Sequence, residues 1–154
     1  MAVGREGFAA EIRDSRRLAL DSAVLIYHLE NIMPYADLTE SAFAAIADGS
    51  VGGILSTISL TELLAKPFAE RRLERVAAFE RFLSSFPRLD IIPPDYAIAM
   101  RAAQLRGSYN LRTPDALIAA TALEGKAGAL LTNDGCLRKL APEDIKVLVM
   151  DDYV

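Results

Sequence analysis

The chain has one cysteine, Cys136, which excludes an internal disulfide and any zinc site built on clustered thiolates. It has one histidine, His28, which excludes histidine-rich metal sites. A hydrolase triad would need that single imidazole, and no nucleophile motif lies near it. No apolar run approaches the ~20 residues that span a bilayer. Met1 to Arg17 carry several charges and no apolar leader. No Pro-, Gly- or Ser-rich linker divides the chain, and there is no internal repeat or low-complexity segment. The 154 residues, 52% hydrophobic, are therefore expected to form one domain with a sizeable core. A reducing, cytoplasmic setting without a membrane partner suits this composition.

Net charge is −4, the wrong sign for a simple electrostatic grip on nucleic acid. Four acids singled out below account for all of it. If they hold divalent cations, the acidic balance says little about partners. Thirteen of the seventeen basic residues are Arg, which suits bidentate phosphate contacts and equally a codon bias.

Residues 1–16 are polar and mixed, and read as an N-terminal arm outside the core, helical from Phe8 to Ile12. A single domain is expected over 17–154. Short apolar runs at Arg17–Leu20, Gly53–Ile58, Leu89–Ile92, Ala129–Thr132 and Lys146–Met150 read as strands. Helices are expected between them: Ala23–Leu29, one opened by a capping box at Asp37–Glu40, one begun at Ser59 and interrupted by Pro67, Arg71–Phe86, and one capped by Asp95 and ending near Leu105. The apolar face of Arg71–Phe86 is wider than one core stripe needs, which suits packing on the preceding helix or a partner surface. Gly107–Asn110 reads as a loop, and Leu137–Leu140 as a short helix stopped before Pro142. Cys136 is expected to be a small, buried thiol, and His28 a helix residue without a role.

The stretch Arg112–Leu123 carries its own helix start. Thr113 can cap free N–H groups, Pro114 suits the first helical position, and Asp115 places negative charge in the first turn. Beyond Asp115 the residues are Ala, Leu, Ile and Thr, so this helix is expected to be buried nearly all round. Asp115 has an ordinary explanation as a helix-dipole residue. So do Asp21 as an N-cap, Glu62 as a capping-box glutamate, and Asp134 as part of an Asn-Asp-Gly turn.

Strand–helix alternation changes that reading. It predicts an α/β fold with a mostly parallel sheet covered on both faces, and one-handed crossovers bring every strand C-terminus to one edge. Ligands in such sheets sit beyond that edge, where strand order reverses. Asp21, Glu62, Asp115 and Asp134 all fall there. Carboxylates gathered in this way repel unless a cation sits among them. Oxygen ligands without His or Cys favour Mg²⁺ or Mn²⁺, which can drive phosphodiester hydrolysis. Arg112 is placed to touch a phosphate, and Ser22, Thr132 and Asn133 to support the ligands.

Leu20-Asp21-Ser22-Ala23-Val24-Leu25-Ile26, Ser59-Leu60-Thr61-Glu62-Leu63, Thr113-Pro114-Asp115-Ala116-Leu117-Ile118-Ala119-Ala120-Thr121-Ala122 and Leu131-Thr132-Asn133-Asp134 together resemble the four acidic motifs of PIN-domain ribonucleases, and within them the VapC-type toxins. The resemblance runs from Leu18 to the C-terminus. It implies a three-layer α/β/α sandwich and Mg²⁺- or Mn²⁺-dependent endonucleolytic cleavage of RNA, with tRNA or rRNA as substrate. It implies Asp21, Glu62, Asp115 and Asp134 as catalytic metal-site acids, a homodimer, and a small antitoxin that enters the groove. Two features depart from it: the arm before Leu18 is long, and Asp134 is followed by Gly135-Cys136-Leu137 where an aromatic is usual.

Two other readings compete. One is a PIN-like module that binds RNA or protein without cutting. The other is a phosphoaspartate protein, against which stand the missing paired acids of a receiver and Ala23 where a phosphatase would want a second Asp.

Overall fold

The computed structural model describes residues 4–154 and has five parallel strands with helices on both faces. In chain order the elements are α1 (Arg5–Asp14), β1 (Arg17–Leu20), α2 (Ser22–Leu29), α3 (Tyr35–Ala47), β2 (Gly52–Ser56), α4 (Ile58–Ala69), α5 (Leu73–Ser85), β3 (Leu89–Ile92), α6 (Tyr96–Tyr109), α7 (Thr113–Glu124), β4 (Ala129–Thr132) and β5 (Lys146–Val149). 3₁₀ segments at Gly135–Glu143 and Met150–Tyr153 complete it. Strand order is β3-β2-β1-β4-β5, so the chain winds outward from β1 one way and then the other. The reversal lies between β1 and β4, which pair with Leu20 opposite Leu131.

Alternation along the strands builds two cores. Leu18, Leu20, Leu55, Leu131 and Leu148 face α1, α2, α3 and α5. Ala19, Ile54 and Leu130 face α6, α7 and the 3₁₀ segment after β4. This is the three-layer α/β/α sandwich expected. No helix among the described residues is long and apolar enough to cross a membrane.

Several local expectations are corrected. Met1–Val3, the start of the expected arm, lie outside the described residues. The rest is not outside the core: α1 buries Phe8 and Ile12 completely, one turn apart on one face. Phe8 meets the Tyr153 ring at 5.0 Å. Each of those two side chains contributes about 1.5–3 kcal/mol by burial, enough to fasten a ten-residue helix with no other large apolar side chain. Pro67 does not interrupt α4; it sits in the last turn, where the missing donor leaves only the Leu63 carbonyl without its helical bond. Gly107–Tyr109 is helix, not loop, and α6 runs on to an Asn110 cap in left-handed conformation. The helix before Gly49 starts at Tyr35, so Asp37 lies in its first turn and no side chain caps it. The 3₁₀ segment after β4 runs through Pro142. The broad face of α5 is shared out: Val76, Phe79 and Leu83 are buried, Phe82 and Phe86 pack edge-on against Phe43, and Leu73 stays exposed. Cys136 is exposed.

Gly128 shows how tightly β4 is entered. A Cβ there would lie 2.1 Å from the Ser15 carbonyl oxygen, so only glycine lets the chain pass from α7 back under β1.

Candidate active site

The four acids arrive at the C-terminal edge of the sheet from four elements. Asp21 directly follows β1 and is the N-cap of α2. Its backbone N–H donates to Leu131 O at 2.9 Å, continuing the β1–β4 ladder one residue past the end of β1. The residue is 9% exposed. One carboxylate oxygen accepts from Ser22 N at 2.8 Å, the other from Thr132 Oγ at 2.7 Å. Burial pushes the Asp21 carboxyl above its ordinary value. The two hydrogen bonds oppose that shift, and the negative charges of Asp115 and Glu62 add to it.

Thr132 is fully buried and ties two acids together. Its hydroxyl donates to Asp21 and accepts from Asp134 N at 3.0 Å. Asp134 caps the following 3₁₀ segment by accepting from Cys136 N at 2.9 Å. That leaves its other oxygen without a protein hydrogen bond among the described residues.

Ser22 makes the matching bridge on the other side. Its hydroxyl donates to Glu62 Oε1 at 2.7 Å and lies 2.8 Å from Ser59 Oγ. An ionised carboxylate only accepts and Ser22 has one hydroxyl proton, so Ser59 supplies the proton of the second contact. Glu62 is therefore not a capping-box residue: α4 has no side-chain cap, and Ser59 is buried inside its first turn. From the sequence alone, Ser59 reads as a helix cap. The available signal was spacing, since Ser59 and Glu62 share a helix face at i,i+3.

Asp115 stands in the first turn of α7, whose buried residues run almost all round the helix. Thr113 makes no cap bond; Arg112 holds the cap position in extended conformation. Its guanidinium reaches forward to Asp115, with Nε–Oδ2 at 3.1 Å and Nη2–Oδ1 at 3.4 Å. The pair is lopsided, with Arg112 76% exposed and Asp115 13%. The Asp115 hydrogen bond and charge, and after them the charges of Glu62 and Asp134, hold the Arg112 guanidinium above its ordinary pKa.

The structure thus brings Ser22, Thr132 and Arg112 into direct contact with the acids. Asn133 behaves differently. Its amide oxygen accepts from Asp151 N at 2.9 Å, and its amide nitrogen faces Asp151 and Tyr27, so it fastens the C-terminal 3₁₀ segment rather than any of the four acids.

Hard oxygen donors, with neither His nor Cys among them, are the set that Mg²⁺ and Mn²⁺ prefer. A buried carboxyl raised partly by neighbouring negative charge is a site that a cation would relieve. As they stand, no three His, Cys or acidic side chains among the described residues converge closely enough to ligate one ion. The donor chemistry of the four acids fits a divalent ion.

Fold and site together define a parallel α/β sandwich with a carboxylate edge at its topological switch point. The chain belongs to the PIN domain family, whose profile matches residues 18–142. Three solved structures share the fold. VapBC2 from Rickettsia felis bound to a DNA fragment from its promoter aligns with TM-score 0.65 at 20% identity, covering 85% of this chain and 96% of that one. A toxin–antitoxin complex from Klebsiella pneumoniae gives 0.63 at 21%, covering 86% and 97%. DNA-bound VapBC from Salmonella typhimurium gives 0.62 at 21%, covering 87% and 98%. No curated protein matches the chain in sequence.

Proposed function

We propose that this protein is a divalent-metal-dependent endoribonuclease and the toxin of a toxin–antitoxin pair. One observation carries the reading. Four acids from four separate segments lie along the switch-point edge; the buried Thr132 hydroxyl links Asp21 to Asp134, and Ser22 contacts Asp21 through its amide and Glu62 through its hydroxyl.

Asp21, Glu62, Asp115 and Asp134 would hold Mg²⁺ or Mn²⁺. When bound, the ion supplies the positive charge that activates water and stabilises the departing oxygen of a phosphodiester. The chain's own residues do the rest. Thr132 fixes the Asp21 carboxylate and the Asp134 backbone to each other. Ser22 orients Glu62. The cap bond from Cys136 N sets the direction of Asp134. Arg112, exposed and forked, meets an RNA phosphate.

The partners follow from the same reading: RNA, of the tRNA or rRNA class, as substrate, and a cognate antitoxin protein, in line with the toxin–antitoxin complexes that share the fold. A homodimer in the cytoplasm completes the proposal. The test is cleavage of a mixed tRNA and rRNA pool with Mg²⁺, Mn²⁺ or EDTA, with Asp115→Asn purified in parallel. Discrete fragments that need metal and vanish in the variant are expected.

A second reading, a non-catalytic RNA- or protein-binding module, draws on the spacing of the carboxylates and the Arg112–Asp115 pair. It predicts identical, metal-independent behaviour of the two proteins in that assay.

A further inference from the structure

Arg112 combines two properties that pull against each other. Its guanidinium engages both oxygens of Asp115 and lies in the negative field of Glu62 and Asp134 as well. Yet the side chain is largely in solvent and makes no other side-chain hydrogen bond among the described residues. Asp115 is the opposite: mostly covered, and fixed to the first turn of a buried helix. A movable cation therefore covers a fixed carboxylate.

On the reading of Asp115 as a metal-site acid, this contact has a consequence for metal uptake. A divalent ion on Asp115 must take an oxygen that already accepts from the guanidinium. Two positive charges cannot share that carboxylate without repulsion. We propose that Arg112 is a built-in competitor of the metal: it neutralises Asp115 in the metal-free protein and must swing away for a divalent ion to bind. The swing needs no backbone change, because only a solvent-exposed side chain moves. It also frees a planar five-donor fork beside the acids, the shape that meets a phosphate in bidentate fashion. Metal uptake and phosphate contact thereby become coupled through one side chain. The competition is mild, since exposed ion pairs are weak. Removing Arg112 should tighten Mn²⁺ binding by about two- to fivefold.

The experiment is calorimetric titration of Mn²⁺ into wild type, Arg112→Gln, Arg112→Lys and Asp115→Asn. The Arg112 Nε–H resonance, assigned by its absence in Arg112→Gln, is followed during titration with diamagnetic Mg²⁺. Circular dichroism melts check that each variant is folded. Tighter Mn²⁺ binding in Arg112→Gln, an intermediate value in Arg112→Lys, and movement of the Nε–H signal with Mg²⁺ would support the proposal. Equal or weaker Mn²⁺ binding in Arg112→Gln, with wild type binding normally, would overturn it and leave the metal site standing. So would an Nε–H signal that Mg²⁺ does not move. Absence of Mn²⁺ binding in both wild type and Arg112→Gln would overturn the metal-site reading and the proposal together.

Discussion

Thr132→Val removes one oxygen at the centre of the site and changes almost nothing in volume. Two hydrogen bonds go with it. The one to Asp21 is charge-assisted, 2.7 Å long and buried, and its loss costs about 1.5–3 kcal/mol. The other leaves Asp134 N–H without its acceptor; Asp134 is half-buried, so this adds on the order of 1 kcal/mol. Together they predict a destabilisation of about 2–4 kcal/mol near pH 7. The deficit should depend on pH in a definite direction. Burial holds Asp21 above its ordinary 3.8, so its contribution to stability is fully present below that value and is lost as pH rises through the folded pKa. The Thr132 hydroxyl bonds the charged carboxylate and limits that loss. Without it the Asp21 pKa climbs further, and the variant loses more than wild type over the same interval. The gap between the two proteins is therefore widest near neutrality and narrows toward pH 4. Urea unfolding followed by circular dichroism in EDTA at several pH values measures it. Thr132→Ser, which keeps the hydroxyl and drops a methyl, should cost about 1 kcal/mol with no such pH trend. A Thr132→Val deficit under about 0.5 kcal/mol at pH 7, or one that stays flat with pH, would refute the reasoning.

Gly128→Ala forces a methyl against the Ser15 carbonyl, which is backbone and cannot step aside. It should destabilise by about 3 kcal/mol, read as a melting temperature roughly 6–12 °C lower; an unchanged melt would contradict the packing described. His28 sits 4.3 Å from the Phe43 ring centroid, and its Nδ1 is 3.1 Å from Thr39 Oγ. The Thr39 proton is directed to Ala36 O, so Nδ1 is the donor. Burial lowers the His28 pKa below 6.5, against the charge of Glu40. Its contribution to stability is present above pH 6.5 and is lost as pH falls through the folded value. Wild type should therefore lose ground to His28→Phe on acidification from pH 7.5 to 5.5, and parallel pH curves for the two proteins would exclude this.

Local signals in this chain were strong wherever neighbouring residues agree with one another. β1, β3 and β4 are short apolar runs ended by Asp, Pro-Pro and Asn-Asp, and these bounds are visible in the chain. Asp95 announces its cap, and the bond to Ile98 N at 2.9 Å follows from its position alone. Local signals misled where tertiary burial decides. Phe8 and Ile12 are the only large apolar residues among ten, too few to mark a core helix, yet both are covered because α1 lies against α3 and the C-terminal 3₁₀ segment. Gly107 reads as a loop residue but faces open space on a helix that α7 already holds in place.

The same division runs through the site. Alternating strands and helices determined that Asp21 and Asp134, just after β1 and β4, Glu62, in the helix that leaves β2, and Asp115, at the start of the helix that leads back into β4, lie toward one edge, because parallel crossovers bring the strand C-termini together. Which hydroxyl bridges which acid was decided only in three dimensions. Asp21 and Thr132 are 111 positions apart and meet because β1 and β4 pair in one register. Ser22 and Glu62, 40 positions apart, meet because α4 returns beside the start of α2. Asn133 follows Thr132 in the chain, but successive residues at a strand end point to opposite sides, and so it fastens Asp151 instead. Sequence order sets the edge; strand register and helix return set the contacts made there.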